Sequence, residues 1–244
     1  MKKALIIGSS SGVGRALAEG LAEKQWNLVL CSRNKRDLEA IAADLSLKYL
    51  VQNQVLAIDI NDEIQRNKLI SLCTKNKDLE TVFITVGDVS DDDNGLQSPS
   101  QIDALVNSNF LSILHILSEL IKGIEKQSRL TVVIMSSIAI SRPRKNNLVY
   151  ATSKSAIDFY SRGLQHLLVN TSVKMIIFRL GYIDTAMSFG KKLLFPCASP
   201  AKTAAFIIAK LNLNKRIHYY PMFWKYLTLI IRLVPWSIYK RISF

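Results

Sequence analysis

The feature that most constrains the fold is a regular alternation of short apolar runs with longer stretches of helical period. Six apolar runs are bounded by turn-forming residues, and they cover residues 4–7, 28–31, 55–58, 82–85, 130–135 and 173–178. Continuous apolar strands that alternate with helices are typical of a parallel sheet covered by helices on both faces. The sequence therefore predicts an α/β fold built on a doubly wound, Rossmann-type sheet.

Length and composition narrow the class of protein further. The chain has 244 residues, 49% of them hydrophobic and 21% charged, so it can bury a large core and is not a disordered protein. Cys31, Cys73 and Cys197 have neither metal-ligand nor CxxC spacing, which predicts reduced thiols in a cytoplasmic protein and no metal site. The first apolar run stops at Gly8, too early for a signal peptide.

The positive charge of the chain is concentrated at one end. The formal net charge is +13, yet residues 1–184 carry 22 basic and 19 acidic groups, and ten basic residues but no acidic ones follow Asp184. The charge excess therefore belongs to the C-terminal quarter. No nucleic-acid-binding motif accompanies it, so we do not expect nucleic acid as a partner.

A glycine-rich turn follows the first apolar run and opens a helix. Glycines at such a turn let the backbone approach a pyrophosphate, which the free amides of the helix N-terminus can bind. Arg33, with Arg36 nearby, follows the second run, where an arginine accommodates the 2′-phosphate of NADP. The sequence therefore predicts NADP(H) as the cofactor. The turn residues predicted to bind it are Gly8, Ser10, Ser11, Gly12, Val13 and Gly14.

Tyr150 and Lys154 form a Tyr-x3-Lys pattern, which gains weight from its position rather than from its letters. It opens a helix after the fifth apolar run, and Ser137 ends that run at the edge of the sheet where crevice residues belong. The polar loop at residues 87–100 follows the fourth run. It is interpreted either as a solvated connector or as a border of the ligand crevice.

Several motifs, in this order, resemble the short-chain dehydrogenase/reductase family. The resemblance covers residues 2–220 and implies a seven-stranded, mainly parallel sheet in a single catalytic domain, taken as residues 1–220. The motifs that carry it are Gly8/Gly12/Gly14, Asp59-Ile60, Asn107, Ser137, Tyr150, Lys154 and the segment 180–185.

The resemblance also implies a role for each catalytic position. Tyr150 would be the general acid, and Lys154, one helical turn on, would lower the pKa of its phenol and bind the nicotinamide ribose. Ser137 would hold the substrate oxygen. Asn107 would kink its helix and hold a water connected to Lys154; the alternative is a helix-interior polar residue with a local backbone bond.

Further cofactor contacts follow from the same resemblance, together with departures from the family pattern. Asp59 and Ile60 would contact the adenine, and Ile183 and Thr185 the nicotinamide carboxamide. The family's Asn-Asn-Ala-Gly appears as residues 84–87, Ile-Thr-Val-Gly, so the cofactor-binding glycine is Gly87. Because the bracing asparagines are missing, the rigidity of that segment is in question. Isoleucine stands at position 7 in place of threonine, and Leu-Gly at 180–181 in place of Pro-Gly.

The segment 221–244 is predicted to be a basic amphipathic helical extension. Lys225 and Arg232 share one helical face, and the other face carries Met222, Tyr226, Leu229, Ile230 and Leu233. The charged residues and Pro235 interrupt any run long enough to span a membrane. The extension either lies in a membrane interface, packs on the domain or forms a subunit interface. The predicted location is the cytoplasm, with peripheral contact at the inner face of the membrane.

The substrate is predicted only as a class, namely a small-molecule ketone or secondary alcohol. The tail and residues 142–147 are similar to a bacterial subgroup of these reductases that acts in envelope polysaccharide synthesis, the decaprenylphosphoryl 2-keto-ribose reductases being nearest. This similarity implies a lipid-linked or nucleotide-linked keto-sugar. Alternatives are a reductase of fatty, steroid-like or xenobiotic carbonyls, a non-catalytic NADPH-sensing scaffold, and a membrane-binding interaction protein. A homo-oligomer, dimer or tetramer, is expected.

Overall fold

The computed structural model describes residues 2–90, 93–123, 129–190, 193–213 and 216–241. Within them a single seven-stranded sheet has all its strands parallel, in the order β3-β2-β1-β4-β5-β6-β7. This confirms the Rossmann-type doubly wound fold, including the seventh strand that only the family resemblance implied. The strands are β1 (Lys3–Ile7), β2 (Asn27–Ser32), β3 (Asn53–Ala57), β4 (Leu79–Ile84), β5 (Thr131–Ser137), β6 (Lys174–Leu180) and β7 (Ile217–Tyr220).

Helices follow the strands and cover both faces of the sheet. A π-turn (Asn107–Leu111) joins two of them into one long helix, and a short 3₁₀ helix (Ile138–Ser141) follows β5. The α-helices are α1 (Gly12–Glu23), α2 (Lys35–Tyr49), α3 (Glu63–Lys75), α4 (Pro99–Val106), α5 (Ser112–Gly123), α6 (Leu148–Leu167), α7 (Pro200–Lys210), α8 (Phe223–Leu233) and α9 (Trp236–Tyr239).

Burial on both faces explains why the strands are apolar throughout. In β1, Leu5 and Ile7 belong to the core on one face of the sheet, whereas Ala4 and Ile6 belong to the core on the other. All four are at most 1% exposed. Since alternate side chains of a strand point to opposite faces, a strand with helices on both sides needs apolar residues at every position.

The strand order reverses between β1 and β4, and this reversal locates the ligand crevice. The chain runs outward from β1 to β3 and then crosses to β4, which pairs with the other side of β1. In such sheets ligands bind beyond the carboxyl ends of the strands at the reversal point. The loops after β1 and β4 should therefore border the site.

Among the residues that the structure describes, one helix is long and apolar enough to cross a membrane by length and composition. It spans Pro99–Gly123, with a mean hydropathy of 1.4 in its most apolar window. Its residues Ile113, Ile116 and Leu117 are no more than 1% exposed and belong to the core beneath the sheet. We therefore assign this helix to the core of the fold.

The described part of the C-terminal extension, up to residue 241, packs on the domain. Trp224 and Tyr239 are buried. Arg142, just after the 3₁₀ helix, donates hydrogen bonds to the carbonyls of Ile231 and Val234 at the end of α8. Residues 242–244 of the predicted extension lie outside the described residues.

Candidate active site

The glycine-rich turn after β1 has a shape that only glycines allow. Gly8 and Gly12 have positive φ angles of 96° and 52°. A Cβ on Gly14 would overlap the carbonyl oxygen of Gly8, so the turn and the first turn of α1 pack backbone on backbone. The backbone is therefore exposed to close approach by a ligand.

The amides that begin α1 are left available to a ligand. In α2 and α3, by contrast, the side chains of Asn34 and Asp62 cap the N-terminus. Ser11 stands at the same position of α1 with an extended backbone, but its side chain makes no capping hydrogen bond. Uncapped amides and the helix dipole attract an anion such as a pyrophosphate.

A cleft of about 720 Å³ opens at the carboxyl ends of the strands and collects the predicted site residues. Its volume lies in the range of cofactor and ligand pockets. Every residue predicted to bind the cofactor lines it, and so does Ser137. These residues are Gly8, Ser10, Ser11, Gly12, Val13, Gly14, Arg33, Asp59, Ile60, Gly87, Tyr150, Lys154, Ile183 and Thr185.

This lining fits a phosphorylated dinucleotide. The uncapped turn offers amide donors to a pyrophosphate, and Arg33 lies on the same cleft beyond β2, where it would hold a 2′-phosphate. Thr185 closes over the turn, since a Cβ on Gly12 would lie 3.2 Å from its methyl group. The donor set and shape of the cleft therefore agree with NADP(H).

Thr85 braces the switch point where the family's asparagines are missing. Its hydroxyl lies within hydrogen-bond distance of the carbonyls of Ile7, at 2.9 Å, and Gly8, at 3.1 Å. Its backbone N–H also donates to Ile7. Thus β1, β4 and the glycine turn are linked directly, and the structure shows a substitute for the bracing that the sequence put in question.

Ser137, Tyr150 and Lys154 meet at one end of the cleft. The Ser137 hydroxyl oxygen accepts the backbone N–H of Ala139 at 3.1 Å, and the hydroxyl is also hydrogen-bonded to Tyr150. Tyr150 and Lys154 lie four residues apart on α6, with the lysine Nζ 6.0 Å from the centroid of the tyrosine ring. The residues brought together are therefore those that the family resemblance implied.

Burial is the main cause of the pKa shifts of Tyr150 and Lys154. The pKa of Tyr150 is raised, chiefly because burial disfavours the phenolate, while a hydrogen bond with Ser137 opposes the shift. Any lowering of this pKa by Lys154, as the family resemblance implied, does not outweigh burial in the protein alone. Burial lowers the pKa of Lys154 itself to about 8. Its Nζ donates to the carbonyls of Val86 and Met135, at 3.2 Å each.

The structure places Asn109, and not the predicted Asn107, against the loop after β4. Asn109 is fully buried in the π-turn, and its side-chain amide accepts from the N–H of Asp88 and donates to its carbonyl, both at 2.8 Å. It therefore ties the helix to the loop after β4, beside Gly87. Neither asparagine lines the cleft itself, but the side chain of Asn107 accepts a 3.4 Å hydrogen bond from Ser112 and makes no bond to that loop among the described residues.

A second residue that sequence reasoning missed is Asp93, in the polar loop after β4. It is 3% exposed, and its two carboxylate oxygens accept the backbone N–H groups of Val149 and Tyr150 at 2.9 and 2.8 Å. The carboxylate thus caps the N-terminus of α6, whose own N-cap residue, Asn147, makes no side-chain cap. The loop also borders the crevice, since Asp88 and Val89 line it.

A third missed residue, Trp224, connects α8 to the wall of the cleft. A Cβ on Gly181 would overlap its indole, so the ring lies directly on that glycine. The ring also contacts Tyr182, another cleft residue, with centroids 5.2 Å apart. Gly181, which belongs to the Leu-Gly pair that replaces the family's Pro-Gly, is therefore the residue on which Trp224 of the extension packs.

The fold and the site together are those of an oxidoreductase that uses a nicotinamide cofactor. Comparison with known proteins identifies the family. The model of the short chain dehydrogenase family matches residues 2–192, so the chain belongs to this family of oxidoreductases. It is 26% identical over 238 residues to an uncharacterized oxidoreductase of Mycobacterium tuberculosis, with 97% of this chain and 95% of the relative covered.

Two other similar proteins differ in how they are described. The inactive hydroxysteroid dehydrogenase-like protein 1 of Homo sapiens is 24% identical, with 87% of this chain and 66% of the relative covered. A short-chain dehydrogenase from Sphingobium yanoikuyae, solved in complex with NADPH, is 18% identical with a TM-score of 0.82, covering 100% of this chain and 97% of that one. The structural likeness supports the fold.

Proposed function

We propose that the protein is an NADP(H)-dependent oxidoreductase that transfers a hydride between nicotinamide and a ketone or the matching secondary alcohol. The observation that carries the proposal is the meeting of Ser137, Tyr150 and Lys154 at one end of the cleft that the glycine turn and Arg33 line. A hydride acceptor bound beside the phenol would receive a proton at the oxygen. Bound NADP(H) supplies the hydride.

The chain's own residues account for the proton and for the charge that develops on oxygen. The raised pKa of Tyr150 keeps its phenol protonated, so it can donate that proton to the carbonyl oxygen. The hydroxyl of Ser137, which bonds Tyr150 in the protein alone, can donate to the same oxygen once a substrate is bound. Protonated Lys154 then stabilises the phenolate left on Tyr150. Asn109 and Asp93 hold the loop and the helix that position these groups.

As substrate we propose a keto-sugar linked to a lipid or a nucleotide. The lining of the cleft also includes Arg144 and Asn147, which suit a phosphate and hydroxyl groups, and the apolar residues Met187 and Leu193. The resemblance of the tail to the polysaccharide reductases supports the same choice. A reductase of fatty, steroid-like or xenobiotic carbonyls is the enzyme alternative, and the name of the human relative favours testing a steroid.

The description of that human relative as inactive also supports one alternative outside catalysis, a scaffold that binds NADPH without turnover. The complete Ser137, Tyr150 and Lys154 set argues against it here, because a scaffold needs no general acid. The enzyme and the scaffold differ in what they require of the phenol hydroxyl of Tyr150. Substituting that tyrosine therefore separates the two.

The test is NADPH oxidation by the full chain with a panel of ketones: a polyprenyl-phosphate keto-sugar, a nucleotide keto-sugar, a ketosteroid and a fatty ketone. We expect turnover with the first or second, and a loss of about 10²–10⁴-fold in kcat for Tyr150→Phe with NADPH binding retained. Preference for the steroid or fatty ketone would overturn the sugar assignment. Full biological activity of Tyr150→Phe would overturn catalysis in favour of the scaffold.

The proposed location is the cytoplasm at the inner face of the membrane, and the proposed assembly is a dimer or tetramer. Exposed Phe159 and Leu167 on α6, at 72% and 68%, support an interface between copies on that side. Sedimentation of the purified protein measures the assembly, and a monomer at micromolar concentration would contradict it.

A further inference from the structure

α8 exposes apolar side chains along one whole face. Scattered exposed apolar residues are ordinary, but a contiguous stripe marks an interaction surface. The exposed fractions lie between 41% and 76%. The stripe, called the α8 face below, consists of Met222, Phe223, Tyr226, Leu229, Ile230 and Leu233.

The α8 face is exposed even though the opposite side of α8 packs on the domain. Trp224 and Thr228, on the opposite side of α8, are each 4% exposed. Arg142 binds the carbonyls that end the helix and stacks over the rings of Tyr239, at 4.2 Å, and Trp236. Since the inward side is already packed, the α8 face remains for a partner outside the described residues.

Positive charges alone border the α8 face along the chain. Lys225 and Arg232 are exposed on one flank of the stripe, seven residues apart. Lys240 and Arg241 are exposed just after α9, whose side chains Trp236 and Ile238 are also exposed. The sequence has no acidic residue after Asp184 to balance them. The partner must therefore be both apolar and anionic.

We propose that the α8 face docks on the surface of an anionic phospholipid bilayer, which deepens the membrane location proposed above and does not depend on the reaction. A helix with an apolar stripe, aromatic residues and a basic flank lies in the headgroup region with its apolar side chains inserted. A second copy of this chain fits less well. Two-fold pairing would set Lys225 and Arg232 against their own equivalents with no acidic residue in the segment to neutralise them.

Docking would bring the wall of the cleft at Gly181 and Tyr182 close to the bilayer. Trp224 of α8 packs on Gly181 and contacts Tyr182 in the cleft wall. Phe195 contacts the rings of Phe223, in a tilted arrangement, and Trp224, edge to face, with centroids 5.7 and 5.1 Å apart. A substrate with its sugar in the cleft and its lipid chain in the bilayer would need no transfer through water.

The test is sedimentation of the full chain with vesicles of phosphatidylglycerol and phosphatidylcholine in equal parts, and with phosphatidylcholine alone. We expect binding to the anionic vesicles that weakens at least tenfold in high salt, and at least tenfold in the double variant L229E/I230E. The matched control is L47E/I64E, whose targets are each 83% exposed on α2 and α3 and should leave binding unchanged.

Three results would overturn the inference: equal binding to both kinds of vesicle, equal binding by L229E/I230E, or a dimer of the native chain that L229E/I230E converts to monomer without any vesicle binding. Turnover with a water-soluble ketone separates this inference from the proposed reaction. Neither double variant alters the cleft, so both should retain that turnover. Turnover without docking overturns only the membrane surface, and docking without turnover overturns only the proposed reaction.

Discussion

The carboxylate of Asp93 accepts the backbone N–H of Tyr150 at 2.8 Å, from a loop 57 positions away in the chain. The same carboxylate accepts the N–H of Val149, so one buried side chain fixes the first turn of the helix that presents Tyr150, the proposed general acid. A negative charge at this point also complements the dipole of α6. The polar loop after β4 therefore serves to position Tyr150.

Removing this cap should reduce stability and turnover together. Asp93→Ala leaves two buried N–H groups without an acceptor, so we expect the free energy of unfolding to fall by about 2–4 kcal/mol and kcat by about tenfold. Asp93→Asn keeps one acceptor oxygen and should fall between that variant and the native chain. Urea unfolding and steady-state kinetics measure both. Asp103→Ala, at an exposed carboxylate on α4, is the control, and a native-like Asp93→Ala would refute the capping role.

Asn109 and Asn107 offer a matched pair of substitutions two residues apart. Asn109→Ala removes both hydrogen bonds to the backbone of Asp88, and we expect kcat/KM to fall at least tenfold and stability by about 2 kcal/mol. Asn107→Ala should remain within about 0.5 kcal/mol of the native chain. Equal effects of the two substitutions on kcat/KM would show that the site asparagine is not distinguished by its position.

The sequence predicted the sheet and the glycine turn because each depends on local order along the chain, whereas the grouping of Ser137, Tyr150 and Lys154 followed from the family resemblance. Asn109 was harder to choose, since a π-turn shifts the phase of the helix just where two asparagines compete. A usable signal existed: Asn109 stands four residues from both Leu105 and Ile113 in the buried stripe of the long helix. A polar residue at a core position deserves a functional explanation.

Asp93, Thr85 and Trp224 could not be found in the same way. Each acts on a partner more than 40 residues away, so no spacing rule links the two. Thr85 in particular occupies a position where the family pattern has asparagine, and only the fold shows that its hydroxyl reaches the carbonyls of Ile7 and Gly8. Contacts between segments that are distant in the chain depend on tertiary packing, which leaves no local pattern in a single sequence.

Arg33 should determine which nicotinamide cofactor binds. In Arg33→Asp the positive charge that would hold the 2′-phosphate becomes a carboxylate that can bond a ribose 2′-OH, so we expect NADPH affinity to fall about 10–100-fold and NADH affinity to rise. Fluorescence titration with both cofactors measures the ratio. Lys68→Asp makes the same charge change at an exposed site on α3 and should not alter it. Tighter binding of NADH to the native chain would contradict the prediction.

Lys154 should make stability depend on pH in a particular direction. Its pKa is about 8 in the folded protein against 10.5 in the unfolded chain, so between those values the unfolded chain binds more protons and stability rises with pH. From pH 7 to pH 10 the native chain should therefore gain about 2 kcal/mol relative to Lys154→Met.

Urea unfolding of the native chain and Lys154→Met at the two pH values measures this gain. Lys68→Met, at an exposed lysine, serves as the control and should show no such change. A constant difference between the native chain and Lys154→Met across that range would mean that burial does not shift the lysine.

Because Trp224 packs directly on Gly181, α8 and the segment after β6 should move together. Ile183 and Thr185, which would contact the nicotinamide, begin two residues beyond that glycine. A bilayer that bound α8 would therefore act on the same backbone that would contact the cofactor, and the two binding equilibria would be linked. Linkage is reciprocal: whatever factor a bilayer applies to the affinity for NADPH, NADPH applies to the affinity for the bilayer.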